Sequence, residues 1–122
     1  MAWRSAAILA ALALSAAASA AAAGDLEFYT GEALYAQCSA KPASPDYQPR
    51  QARCAGYVLG VSDALQAAQG AGAPNRVCLP ATAASTELVE SVGRYLDAHP
   101  EKRRLAAQDL VIEALSEQFP CK

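Results

Sequence analysis

One histidine, His99, is the whole imidazole complement of this 122-residue chain. That scarcity removes most hydrolytic chemistry. A cysteine or serine nucleophile needs a neighbouring base. His99 stands immediately before Pro100 at an expected helix end, where its ordinary roles are packing and compensation of the helix C-terminal dipole. No two cysteines fall at the Cys-x-x-Cys spacing of a structural zinc site, and the Cys-x-x-Cys-His of covalent haem attachment is missing too. The acidic residues are scattered along amphipathic faces, so no pair stands out as a glycosidase dyad. Ten Lys and Arg against twelve Asp and Glu leave no basic stripe for nucleic acid. These absences exclude an enzyme, a metal site and a cofactor from the reading.

Long apolar runs are scarce beyond the N-terminus. Met1 to about Ala23 reads as a secretory signal peptide: Arg4 supplies a weakly basic start, Ala6 to Ala18 an apolar stretch, and Ala18-Ser19-Ala20 and Ala21-Ala22-Ala23 small-residue cleavage sites. The run is too short and alanine-rich for a membrane span, and no stop-transfer pattern follows it. No cysteine ends it, which argues against a lipoprotein. Loss of residues 1–23 removes only Arg4 among the charged side chains, so the mature domain, residues 24–122, is mildly acidic at roughly −3. The expectation is an exported protein, free of the membrane after signal removal, with one small domain that disulfides would help to stabilise.

Cysteine is what the chain does have. Cys38, Cys54, Cys78 and Cys121 all follow the signal and allow three pairings. Cys38 closes a first expected helix and Cys54 lies near the start of a second, ends that meet in an antiparallel hairpin. Cys78 precedes a third and Cys121 follows a fourth. Geometry therefore favours 38–54 and 78–121, worth about 3 and about 4 kcal/mol in the chain-entropy model.

The periodicity between the cysteines is helical throughout, and no strand-like alternation of useful length occurs. The expected class is all-α, a bundle of about four helices. The first runs from about Gly31 to Ser39 with Thr30 as N-cap, and the prolines at 42 and 45 break the chain after it. The second covers about Pro49 to Gln69, with Cys54, Tyr57, Val58, Val61, Leu65 and Ala68 on one apolar stripe. Gly56, Gly60 and Ala64 form another stripe, for which close approach of a neighbouring helix backbone is the simplest explanation, since interior glycines cost about 1 kcal/mol each. In a membrane such spacing would suggest dimerisation, but Arg50, Arg53 and Asp63 exclude a span. Gly70 to Asn75 is the strongest break. The third helix starts at Ser85 or Thr86 as N-cap and buries Leu88, Val92, Tyr95, Leu96 and His99. Pro100 stops it and opens the fourth, whose inner face carries Leu105, Ile112, Leu115 and Phe119.

Together these pieces resemble a family. They are Gly31-Glu32-Ala33-Leu34-Tyr35-Ala36-Gln37-Cys38, the run from Cys54 through Gly56, Tyr57 and Gly60 to Asp63-Ala64, Cys78-Leu79-Pro80, Tyr95-Leu96-Asp97-Ala98-His99-Pro100-Glu101, and Ala114-Leu115 leading to Phe119-Pro120-Cys121. In order and spacing they resemble the Rap/Tai family, small exported helical proteins that include immunity proteins against amidase effectors of type VI secretion. The resemblance implies a periplasmic, non-catalytic inhibitor that occludes the cleft of a peptidoglycan amidase, often as a homodimer. It identifies a scaffold and no contact surface, because the shared residues are cysteines, small residues and core positions. Tyr57 and Asp63, six apart on one helix, are expected to be structural, Asp63 capping a neighbouring helix or accepting a buried hydrogen bond. Candidate contacts with an amidase are Asn75 and Arg76, on the 69–77 loop that Cys78 anchors, and Tyr47, on the 41–48 loop that the 38–54 bridge would close; Tyr and Arg are common interface anchors. The competing reading is a periplasmic module outside immunity, an acid-stress chaperone or an accessory subunit of an envelope complex. A single histidine and ordinary charge give that alternative no specific support.

Overall fold

In the computed structural model, residues 29–122 are described; the expected signal peptide, residues 1–23, lies outside them. Four α-helices follow in chain order: α1 (Gly31–Cys38), α2 (Tyr47–Gly70), α3 (Ser85–Ala98) and α4 (Ala107–Gln118). Among the described residues there is no strand, only an isolated bridge between Thr30 and Ala106. The all-α bundle and its two staples are as the sequence indicates, with Cys38 bonded to Cys54 and Cys78 to Cys121. No described helix is long and apolar enough to cross a membrane.

α1 begins where Thr30 Oγ1 accepts from the Ala33 N–H at 3.2 Å, the expected N-cap. α2 begins two residues before Pro49, so this proline sits in the first turn, where its missing N–H leaves no bond unmade. α3 departs from expectation at its start: Ala84 is the N-cap and makes no side-chain cap bond, while Ser85 and Thr86 lie inside the helix.

The largest departure is after Pro100. This proline opens only a 3-10 turn, Pro100–Lys102, and α4 starts at Ala107. The intervening segment is claimed by α1. Gly31 N–H donates to Leu105 O at 2.8 Å and Glu32 N–H to Arg103 O at 2.7 Å, while Ala107 N–H donates to Tyr29 O at 2.7 Å. The first-turn amides of α1 lack intrahelical partners, and the carbonyls of 103 and 105 meet that need instead of continuing a helix. Leu105 is consequently turned outward, 41% exposed, and is not part of the inner face of α4.

The core is one cluster drawn from all four helices: Leu34 of α1, Cys54 and Val58 of α2, Leu88, Val92 and Leu96 of α3, Leu110, Val111 and Leu115 of α4, with Val77 and Phe119 closing it. Glycine provides a close approach at a position other than those the spacing suggested. A Cβ at Gly31 would lie 2.3 Å from Leu110 Cδ1 and 2.9 Å from Arg103 O, so only glycine fits where α1 meets α4. At Gly56 and Gly60 a Cβ would meet nothing within 4 Å. Among the described residues no helix packs on that stripe, so no contact within the described fold accounts for these two glycines.

Candidate functional site

The segment after α2 is held by one side chain. Gln69 donates through Nε2 to Val77 O at 2.8 Å and accepts through Oε1 from the N–H groups of Arg76 and Val77 at 2.9 and 3.1 Å. Gly72 takes φ +106°, a left-handed conformation suited to glycine, as the chain leaves the helix. Val77 is buried as a plug, and the next residue is tied twice to the C-terminus: Cys78 N–H donates to Phe119 O at 3.0 Å, and Cys78 is bonded to Cys121. Asn75 and Arg76 are thus exposed on a loop braced at both ends. Gln69 was not legible as a site residue, because a glutamine near a helix end is ordinary until its partners seven and eight residues later are known.

At the other end of α2 the 41–46 segment turns through Ser44 N–H to Lys41 O (2.9 Å) and Tyr47 N–H to Ser44 O (3.1 Å). Ser44 Oγ donates to the Asp46 carboxylate, which also faces Arg50 at 3.6 Å. The Ser44 hydroxyl first, and then the Arg50 charge, hold the Asp46 carboxyl below its usual range. Gln51 donates to Cys38 O at 3.3 Å beside the disulfide. Tyr47 is half-buried in a groove of about 350 Å³ between α2 and α3, with Gln51, Ala55, Leu59, Val89 and Glu90. The three candidate contact residues are not brought together. Tyr47 begins α2, while Asn75 and Arg76 follow its end, and 24 helical residues span roughly 36 Å.

A larger groove, about 550 Å³, runs between α2 and α4 and is lined by Gly56, Tyr57, Gly60, Val61, Ala64, Leu65, Gln108 and Ile112. Tyr57 packs in it against Tyr29, with ring centroids 4.9 Å apart; burial, and secondarily Tyr29, push the Tyr57 hydroxyl pKa up. Its role here is packing. Asp63 does not meet the buried role expected of it: the side chain is exposed on the outer face of α2.

A polar cluster fixes the α3–α4 connection. Lys102 Nζ lies 2.8 Å from both the Glu113 carboxylate and the Tyr95 hydroxyl, and the Tyr95 hydroxyl donates to Glu113. The Lys102 bond, with that from Tyr95, holds Glu113 below the usual carboxyl range; Lys102 is raised, mainly by Glu113. Burial and the bond to Glu113 push the Tyr95 hydroxyl up. His99 stacks on Tyr95 with centroids 4.3 Å apart and bonds Glu101 at 3.3 Å. Arg103 lies 3.4 Å over the Tyr35 ring and donates to Leu96 O at 2.8 Å. Tyr95 and Glu113 are 18 residues apart, and no sequence spacing announces their meeting.

Together, the bridges and the Gln69 clamp define a small, disulfide-stapled helical domain that presents rigid loops at both ends of its longest helix. The family model for Rap1a immunity proteins matches residues 30–121, nearly all of the described chain. The chain belongs to the Rap1a immunity protein family, in accord with the resemblance carried by its cysteines and small residues. Membership implies an immunity-type protein that binds a cognate effector. No curated protein and no solved structure matches the chain.

Proposed function

We propose that this protein is exported to the periplasm and there binds and inhibits a peptidoglycan amidase effector of a type VI secretion system. It acts by occluding the effector's cleft, without catalytic chemistry of its own, and it works as a homodimer. The observation that supports this reading best is the family match across residues 30–121, which covers both staples and both braced loops. Inhibition by occlusion calls for a projecting segment whose conformation is set before binding, since ordering a loop at the moment of association costs affinity. The 69–77 loop has that character through Gln69 and Cys78, and it carries Asn75 and Arg76 toward solvent. It is the better placed of the two loops, because Tyr47 is half-buried against α3.

The test is periplasmic co-expression with an amidase effector encoded beside this protein. Protection from lysis and a purified complex are the expected results. Lysis without complex formation would overturn the assignment. Substitution of Asn75 and Arg76 by alanine should weaken the complex; full inhibition by that variant and by Tyr47→Ala would rule out both loops as contacts.

A further inference from the structure

The outer face of α2 carries a charge pattern that matches its own copy. Val58 points into the core with no exposure. On the opposite side of the helix lie Arg53, Gly56, Gly60, Asp63 and Ala67, all exposed. Arg53 and Asp63 are centred on position 58, and so are Gly56 and Gly60. Among the described residues neither Arg53 nor Asp63 enters an ion pair. The two glycines leave open space where side chains would stand, although each costs the helix about 1 kcal/mol relative to alanine. Beside them the groove of about 550 Å³ exposes the apolar flanks of Tyr57, Val61, Leu65 and Ile112.

We infer that this face and groove form the homodimer contact, with α2 of one copy packed antiparallel on α2 of the other about a two-fold axis level with residue 58. The inference rests on the homodimer reading above and deepens it. A two-fold contact is isologous: residue i meets j, and j meets i. In this register each Gly56 is level with Gly60 of the other copy, so the backbones can approach closely. Each Arg53 is level with Asp63 of the other copy, which gives two opposite-charge pairs at the ends of a glycine-floored crossing. The two-fold leaves both α2–α4 grooves on one flank, where the apolar walls of the two copies cover each other. An unrelated partner has no reason to meet a positive and a negative charge placed evenly about one point. A second copy does.

The experiment is sedimentation equilibrium of the exported, oxidised protein across a concentration series, with Arg53→Glu, Asp63→Arg, the double charge swap and Gly60→Trp, each checked for unchanged helicity by circular dichroism. The open space at Gly60 lets the tryptophan fold normally in a monomer. Each single charge reversal should weaken dimerisation about tenfold or more, and the double swap should restore it; Gly60→Trp should be monomeric. A wild-type dimer indifferent to all four variants overturns this surface and leaves the homodimer reading standing. A wild-type protein monomeric throughout overturns both. If Gly60→Trp instead abolishes effector capture by a monomeric protein, the face belongs to the effector and the inference fails.

Discussion

The side-chain amide of Gln69 holds both backbone groups of Val77, donating to its carbonyl at 2.8 Å and accepting from its N–H at 3.1 Å. The 69–77 loop is thereby closed at the end of α2 without a covalent bond. Removing the clamp in Gln69→Ala leaves partly buried backbone groups at Val77 without partners and should cost about 1–3 kcal/mol in stability. Amide hydrogen exchange at Arg76 and Val77 should quicken well beyond the change at α3. Gln69→Glu keeps the acceptor but loses the donor to Val77 O, so its exchange rates should fall between those of the other two proteins. Equal protection of Arg76 in wild type and Gln69→Ala would show that Cys78 and Val77 fix the loop unaided.

The two disulfides differ in access. Cys54 is fully buried, whereas Cys78 is exposed and Cys121 partly so. A thiol reductant reaches an exposed bridge first. Timed reduction followed by alkylation and mass spectrometry should show Cys78 and Cys121 labelled before Cys38 and Cys54. Replacing a pair by serine should lower stability by about 3 kcal/mol for 38–54 and about 4 kcal/mol for 78–121, the longer loop losing more. The order of labelling and the order of stability loss are independent readouts. Simultaneous labelling of all four cysteines would mean that reduction follows global unfolding and not local access.

The Lys102–Glu113 pair gives stability a pH window with a definite sign. Glu113 has a lowered pKa in the folded state, so its contribution is present above the ordinary value near 4.5 and is lost as pH falls through the folded value. Lys102 is raised, so its contribution is present below about 10.5 and is lost as pH rises toward the folded value. Both side chains are more than a third exposed, so solvent screens the pair and its effect is modest. Glu113→Gln should flatten the acid limb of the urea-midpoint profile below pH 4.5 and reduce the salt sensitivity of the midpoint at neutral pH. An acid limb unchanged by that substitution would assign it to Asp46 and Glu101, the other carboxyls held low among the described residues.

Much of the helix order was legible because apolar periodicity and proline breaks act locally. Thr30, Pro100 and the Gly70–Gly72 break did the jobs their chemistry suggests, at least in stopping or starting a helix. The errors came where distant chain intervenes. Leu105 fits the inner stripe of an extended fourth helix, yet α1 takes its carbonyl and the residue faces out. Ser85 and Thr86 are better N-cap residues than Ala84, but the chain turns one residue earlier, through Ala83 N–H to Pro80 O, and the cap preference yields. The site was less legible than the fold. Asn75 and Arg76 could be picked as exposed loop residues, whereas the clamp that gives their loop its shape and the 36 Å scale that separates them from Tyr47, roughly the length of α2, are three-dimensional facts.

Gly31 and Gly60 respond oppositely to the same added methyl group. At Gly31 the new Cβ would stand 2.3 Å from Leu110 Cδ1 and 2.9 Å from the Arg103 carbonyl oxygen, a backbone atom that cannot swing aside. Gly31→Ala should therefore destabilise by about 1–3 kcal/mol as α1 is pushed off the α3–α4 connection. At Gly60 nothing stands within 4 Å, and alanine should raise the intrinsic stability of the folded chain by about 1 kcal/mol through helix propensity alone. Gly93→Ala, with an equally open Cβ on α3, is the matching control. Urea denaturation at several protein concentrations separates the effects: the gain at Gly93 should be independent of concentration, while that at Gly60 should shrink as concentration rises if the α2 face is covered by a second copy. Equal gains at Gly60 and Gly93 at every concentration would leave the α2 glycines facing solvent in the working protein.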